Sequence, residues 1–222
     1  MKIPMEEKIL NDQQRQWQDI FSETPEMFGT EPSDPARRAA DLFEREGWKK
    51  VLELGCGQGR DTLYFAKRGL DVHALDYSEQ GIEALAGKAR ETGFSTRIVT
   101  GIHDVRNPLP FADESFGACY SHMLFCMALT TGQLQSLSEE IRRVLQPGGI
   151  CVYTVRHTED AHYRKGVPRG EDMYETGGFI VHFFSREKVE LLAEAYETVN
   201  VDEFEEDSLP RKLFRVTLRK AR

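Results

Sequence analysis

The chain has no apolar run approaching the length of a membrane span, no C-x-x-C pair among its four cysteines, no internal repeat and no low-complexity tract. The first absence argues against a bilayer-crossing helix, so no membrane partner is expected. Cys56, Cys119, Cys126 and Cys151 lie in or near apolar, strand-like segments, which predicts reduced thiols and a cytoplasmic location rather than a disulfide framework. Positive charge is also short. Twenty-nine Lys and Arg against 37 Asp and Glu give a net charge of −8, so no large basic face and no nucleic-acid partner is expected. Met1 to Leu10 carries Glu6 and Glu7 and no apolar stretch, so it does not read as a secretory leader. What is present is 222 residues, 40% hydrophobic and 30% charged, enough for one α/β domain with an extension.

The most informative stretch is Val51-Leu52-Glu53-Leu54-Gly55-Cys56-Gly57-Gln58-Gly59-Arg60. Its apolar start reads as a short buried strand, the alternating glycines as a turn, and Asp61 to Lys67 as a helix. Glycines in such a turn let backbone approach a ligand that a Cβ would block. The dinucleotide fingerprint G-x-G-x-x-G does not fit, because Arg60 stands where its third glycine belongs. A phosphate-binding loop does not fit either, since no Gly-Lys-Ser/Thr follows.

Along the chain, residues 1–47 read as an N-terminal helical extension or cap and 48–222 as the main domain. Trp17 to Gly29 is too apolar for a free tail, and Asp34-Pro35 reads as the N-cap and first residue of a helix ended by Gly47. Strands are expected at 51–54, 72–76, from Ile98, at 117–122 and at 150–155, alternating with helices whose apolar faces include Leu63 and Phe65, Ile82 and Leu85, and Leu137 and Ile141. That alternation predicts a parallel sheet with helices on both faces. His157 to Gly178 lacks periodicity and reads as a long loop or lid. Phe179 to Phe184 reads as a strand, and Ser185 as the cap of a helix running to about Tyr196. Two last strands, 197–204 and 212–218, would be joined by a turn near Asp207 to Pro210.

Glu53-Leu54-Gly55-Cys56-Gly57-Gln58-Gly59 matches acidic-apolar-G-x-G-x-G at every defined position, and so resembles the first motif of the class I S-adenosylmethionine-dependent methyltransferases. His103-Asp104-Val105 before Leu109-Pro110-Phe111, and Leu145-Gln146-Pro147-Gly148-Gly149, are similar to later motifs of that family in the same order. The run from Gly57 to Tyr64 resembles its tellurite-resistance and thiopurine members, which act on small molecules. The resemblance covers about residues 48–156. It implies a Rossmann-like, doubly wound α/β sheet, mostly parallel with a C-terminal antiparallel hairpin, an S-adenosyl-L-methionine cofactor and a small-molecule acceptor.

Such a cofactor has an adenine, a ribose diol, an amino-acid head and a sulfonium, but no phosphate. Glycine backbone beside the sugar and a carboxylate for both ribose hydroxyls suit it. Asp76 falls 21 residues beyond Gly55, at the expected tip of strand two. The resemblance places Glu53, Gly55, Cys56, Gly57, Gly59, Tyr77 and Ser121 around the cofactor, with Asp76 at the ribose and Asp104 and Val105 at the adenine. Arg60 meets either the cofactor carboxylate or a nearby acid. Trp17 and Phe28 cover the cofactor or simply anchor the N-terminal segment.

In-line methyl transfer needs a base only when the acceptor must lose a proton. His122 is the candidate base or acceptor contact, with a purely structural histidine as the other reading. His157, His162, Tyr163, Tyr174 and His182 come from the segment that would form an acceptor pocket. No metal is expected, because His157 and His162 have no second pair of ligands. The N/D-P-P-aromatic run of nucleic-acid amino-methylation is absent, with Ser121-His122-Met123-Leu124 in its place. Two rival readings remain at this level: a nicotinamide-dependent dehydrogenase, and a non-catalytic sensor or scaffold that keeps the cofactor site.

Overall fold

Strand β1 (Lys50–Leu54) forms where three of five side chains, Val51, Leu52 and Leu54, have no exposed surface, two on one sheet face and one on the other. Burial on both faces is the signature of a parallel strand covered by helices. The computed structural model describes residues 7–206 and 211–222; residues 1–6 and the turn expected near Asp207 to Pro210 fall outside them. Parallel to β1 run β2 (Asp71–Asp76), β3 (Ile98–Ile102), β4 (Phe116–His122) and the long β5 (Leu145–His157). Their spatial order is β3-β2-β1-β4-β5. The order therefore reverses between β1 and β4, and open α/β sheets bind ligands in the crevice at such a switch point.

Two hydrophobic cores flank the sheet. One joins Leu52, Leu54 and Leu75 to α5 (Thr131–Val144) and α6 (Arg186–Ala193). The other joins Val51, Val72 and Tyr120 to α2 (Asp34–Arg45), α3 (Arg60–Lys67) and α4 (Glu79–Glu91). Helix α1 (Glu7–Glu23) packs against α4 and the strand β8 (Phe179–Phe184). Among the described residues no helix is long and apolar enough to cross a membrane.

Beyond β5 comes β10 (Arg211–Arg219), antiparallel to it, and then β9 (Glu197–Glu206), antiparallel to β10. The expected C-terminal hairpin is thus present. Two expectations are corrected. Ser33, not Asp34, caps α2: its hydroxyl accepts from Ala36 N–H at 3.1 Å, while Asp34 sits in the first turn and binds Arg38 at 2.7 Å. The segment 157–178 is not all loop. It contains β6 (Val167–Gly170) and β7 (Met173–Thr176), and β7 pairs antiparallel with both β6 and β8. Four-residue strands with little apolar alternation leave no periodic signal, so this meander appears only once β8 offers an edge to pair with.

The passage from β1 into α3 depends on Gly59, which is the N-cap of α3 at φ +83°. A Cβ there would lie 2.2 Å from Leu85 Cδ1. Gly59→Ala should therefore destabilise the fold by about 2–4 kcal/mol, from left-handed strain plus overpacking against α4. Urea denaturation checks this; an unchanged midpoint would contradict it.

Candidate functional site

The glycine turn is held from below by β2. Gly55 N–H and Cys56 N–H both donate to the Leu75 carbonyl, at 2.8 and 3.2 Å. The Asp76 carboxylate then accepts from Gly57 N–H through Oδ2 and from Ser78 N–H through Oδ1, each at 2.8 Å. Burial pushes the Asp76 pKa above the usual carboxylate value, although these backbone donors pull against it. A Cβ on Gly55 would meet Leu124 Cβ at 2.9 Å, so the turn passes under the β4 exit only as glycine. Gln58 ties the turn to the N-terminal segment, donating to the Phe21 and Thr24 carbonyls and accepting from Met27 N–H.

A cavity of about 590 Å³ opens above this turn, within the usual range for small-molecule sites. Its floor is Glu53, Gly55, Gly57 and Asp76, and Trp17, Phe21 and Phe28 cover one side. Those rings pack on one another and on Phe179, with Trp17 and Phe179 centroids 5.0 Å apart. A narrow extension of about 40 Å³ continues from Asp76 and Tyr77 past His103, Asp104 and Val105.

The floor is strongly acidic. Glu53 is 3% exposed, and its Oε2 has no hydrogen-bond partner among the described residues. Burial, reinforced by the nearby Asp61, pushes its pKa up to about 8. Asp61 is buried too, accepting from Ser33 N–H, Ser33 Oγ and Tyr120 Oη at 2.7–3.0 Å. Three buried carboxylates with one oxygen unpartnered, beside glycine backbone, suit a ligand that carries positive charge and hydroxyl donors.

Glu53, Gly55, Cys56, Gly57, Arg60, Asp76, Tyr77 and His122 line the large cavity, and Asp104 and Val105 line the extension. Gly59 serves α3 instead. Ser121 lines neither cavity: it is fully buried, and its hydroxyl donates to the Leu54 carbonyl at 3.2 Å. Arg60 reaches both a nearby acid and the covering segment, with Nε 3.3 Å from Asp61 and Nη1 donating to the Phe28 carbonyl at 3.0 Å. Asp104 is engaged by Arg106. Burial is the largest influence on its carboxyl and raises it, but the Arg106 guanidinium and N–H outweigh that and hold it below the ordinary value.

The expected contributors from the variable segment are elsewhere. His157 accepts from Glu159 N–H, His162 turns to Asp160, Tyr163 donates to Asp172, and His182 is buried against the Leu129 carbonyl and Lys188. Phe179, Ile180 and Val181 of β8 line the cavity in their place. Arg156, Glu206 and Arg211 also line it and were not legible in the sequence. Nothing in local spacing marks them, because they converge only when β10 pairs with β5 and β9 pairs with β10.

Residues 51–149 match a family model described as a methyltransferase domain. An uncharacterized methyltransferase of Synechocystis sp. is 33% identical over 109 residues, which is 49% of this chain and 48% of that one. The chain spans about half the length of the curated relatives it matches. Among solved structures, 1,6-didemethyltoxoflavin-N1-methyltransferase of Burkholderia thailandensis, with bound 1,6-didemethyltoxoflavin and S-adenosylhomocysteine, aligns over 100% of this chain and 94% of its own. Its TM-score is 0.79 and its identity 17%. TehB of Haemophilus influenzae aligns with a TM-score of 0.67 over 92% of this chain and 67% of its own, at 20% identity. The class I methyltransferase resemblance and the fold it implied are borne out.

The raised Glu53 pKa carries a linkage. The folded state holds a proton that the unfolded state releases near the ordinary glutamate value, so stability is lost as pH rises from about 4.5 to about 8. Glu53→Gln should flatten this part of the pH–stability curve and leave the ligand-free protein more stable at pH 8, as read by urea midpoints across that range. Parallel curves for the two proteins would refute the assignment.

Proposed function

We propose that this chain, which carries a methyltransferase domain over residues 51–149, binds S-adenosyl-L-methionine in the large cavity and catalyses methyl transfer to a small-molecule acceptor. The observation that carries the reading is the unpartnered, buried Glu53 Oε2 on the floor of a glycine-lined cavity, one strand away from Asp76. A positively charged amino-acid head offers the donors that oxygen lacks, and the absent Cβ atoms at Gly55 and Gly57 leave room for it.

Bound there, the cofactor supplies a methyl group on a positively charged sulfur. Glu53 and the Gly55–Gly57 backbone hold its head, with Arg60 near its carboxylate. Asp76 accepts from its ribose hydroxyls with the lone pairs that Gly57 and Ser78 leave free, and Tyr77, Asp104 and Val105 frame the slot for its base. Cys56, whose thiol burial keeps protonated, contributes only packing. The N-terminal segment acts as a cap: Trp17, Phe21 and Phe28 exclude water from the site, which strengthens each electrostatic contact inside it. The aromatic, Met and aliphatic side chains that share the cavity with its charged groups support a small acceptor with an apolar body rather than a polymer.

Calorimetric titration with S-adenosylmethionine, S-adenosylhomocysteine and NAD tests the reading. Micromolar binding of the first two and none of NAD is expected; silence from both adenosyl ligands in a folded protein would overturn it. Asp76→Asn should weaken S-adenosylhomocysteine binding about tenfold or more, through loss of charge-assisted hydrogen bonds to the ribose. Unchanged affinity would displace the ribose from Asp76.

A further inference from the structure

Where β4 and β5 end beside the β9–β10 hairpin, the cavity carries a second set of polar groups, His122, Arg156, Glu206 and Arg211, apart from those assigned to the cofactor above. His122 closes β4 and pairs in register with Thr154 of β5. Its Nδ1 lies 2.8 Å from Thr154 Oγ1, which also accepts from Met123 N–H at 3.0 Å. The imidazole is therefore fixed on one edge by a hydroxyl that is itself fixed by backbone. Its other edge faces Glu206, the last residue of β9, with Nε2 3.7 Å from Oε1. That separation is too wide for a direct hydrogen bond and narrow enough for both atoms to reach one third atom.

Glu206 is held as an anion. Its pairing with His122 is the main influence, burial opposes it, and Arg211 and Arg60 add to the pull, so its carboxyl lies below the ordinary value. Arg211 Nη1 stands 3.5 Å from Glu206 Oε2. The charged groups facing this corner are thus Arg60 from α3, Arg156 from β5 and Arg211 from β10, with Arg156 itself clamped by the buried Asp160 at 2.6 and 2.9 Å. In the neutral imidazole with Nδ1–H directed at Thr154 Oγ1, the Nε2 lone pair faces the cavity beside the Glu206 carboxylate. The same cavity also carries apolar side chains, Met123, Leu124, Met127 and Phe179.

We propose that His122, with the Glu206 carboxylate beside its Nε2, acts as the proton acceptor, and that the acceptors of this protein are small molecules with an apolar body and an acidic O–H or N–H group. This rests on the methyltransferase reading above. In the step, the acceptor's X–H bond breaks and its proton passes to His122 Nε2, and the Glu206 carboxylate stabilises the imidazolium that forms. The electron pair left on X forms the bond to the methyl carbon, and the S–C bonding pair stays on sulfur as a neutral thioether. Arg156 and Arg211 lower the cost of negative charge on X before the bond forms. An acceptor without a proton on its nucleophilic atom gains nothing from the pair.

The test uses the full chain saturated with S-adenosylhomocysteine and a panel of nitrophenols and nitroimidazoles, whose anions absorb differently from their neutral forms. Panel members are expected to bind as anions at pH values below their solution pKa. His122→Gln and Glu206→Gln should each lower the bound anion about tenfold or more. With S-adenosylmethionine, the same variants should lose about 100-fold in kcat on those acceptors but not on pyridine, which has no proton to give. Affinity for S-adenosylhomocysteine should stay within about twofold in both variants, which shows that the fold and cofactor site are intact. Variants that bind anions and turn over like the parent overturn the proposal. So does a parent protein that binds S-adenosylhomocysteine yet takes no panel member as an anion, or methylates only pyridine. A parent that does not bind S-adenosylhomocysteine defeats the methyltransferase reading itself.

Discussion

The clasp between Asp76 and the glycine turn is the constraint on which the site depends. One carboxylate, 8% exposed at the tip of β2, accepts from Gly57 N–H and from Ser78 N–H. The first bond fixes the path of the β1 turn, and the second starts the chain toward α4, where Ser78 caps the helix through Gly81 N–H. A carboxylate taken from water at this depth loses hydration worth several kcal/mol, so it persists only because charge-assisted bonds replace that hydration. The same two bonds set the floor of the cavity, since the turn and the strand tip are its floor residues.

Negative charge is gathered around that floor at a cost the ligand-free protein bears. Glu53, Asp61 and Asp76 are all buried; Asp61 is met by donors from Ser33, Tyr120 and Arg60 and Asp76 by two backbone N–H groups, while Glu53 keeps an oxygen with no donor among the described residues. Glu53 responds by keeping its proton to about pH 8. Local instability at a binding site, offset by two well-packed cores on either side of the sheet, is the usual price of readiness for a charged ligand. The Ser33–Asp61–Tyr120 contacts also bind the start of α2 to α3 and β4, so the site and the packing of its surrounding helices share one network.

Elements outside the shared Rossmann-like core build the opposite wall. Helix α1 brings Trp17 and Phe21, and the β6–β7–β8 meander brings Phe179 to Val181. Gln13 joins the two, donating to the Gly178 carbonyl at 2.7 Å and accepting from Ile180 N–H at 3.0 Å. Cap and meander are thus one unit across a sequence gap of 167 residues. Neither announces this contact locally, because a glutamine on a helix gives no sign of the backbone it will meet.

By itself the sequence determined the nucleating pattern: apolar runs spaced for parallel strands, glycines at 55, 57 and 59, and a carboxylate at 76. These are legible because each is dictated within a few residues, by strand burial, by positive φ or by reach from one strand tip to the next. It missed the Ser33 cap by one residue, for serine and aspartate serve a helix start almost equally. It read 157–178 as loop because short strands take their stability from a partner and not from their own composition. Only the tertiary structure brought Glu206 opposite His122, placed Arg156 and Arg211 at the same corner, and turned Ser121 away to Leu54. Those placements follow from long-range register: once β10 lies against β5 and β9 against β10, every side chain along them faces a fixed direction, and one residue of slip would reverse it.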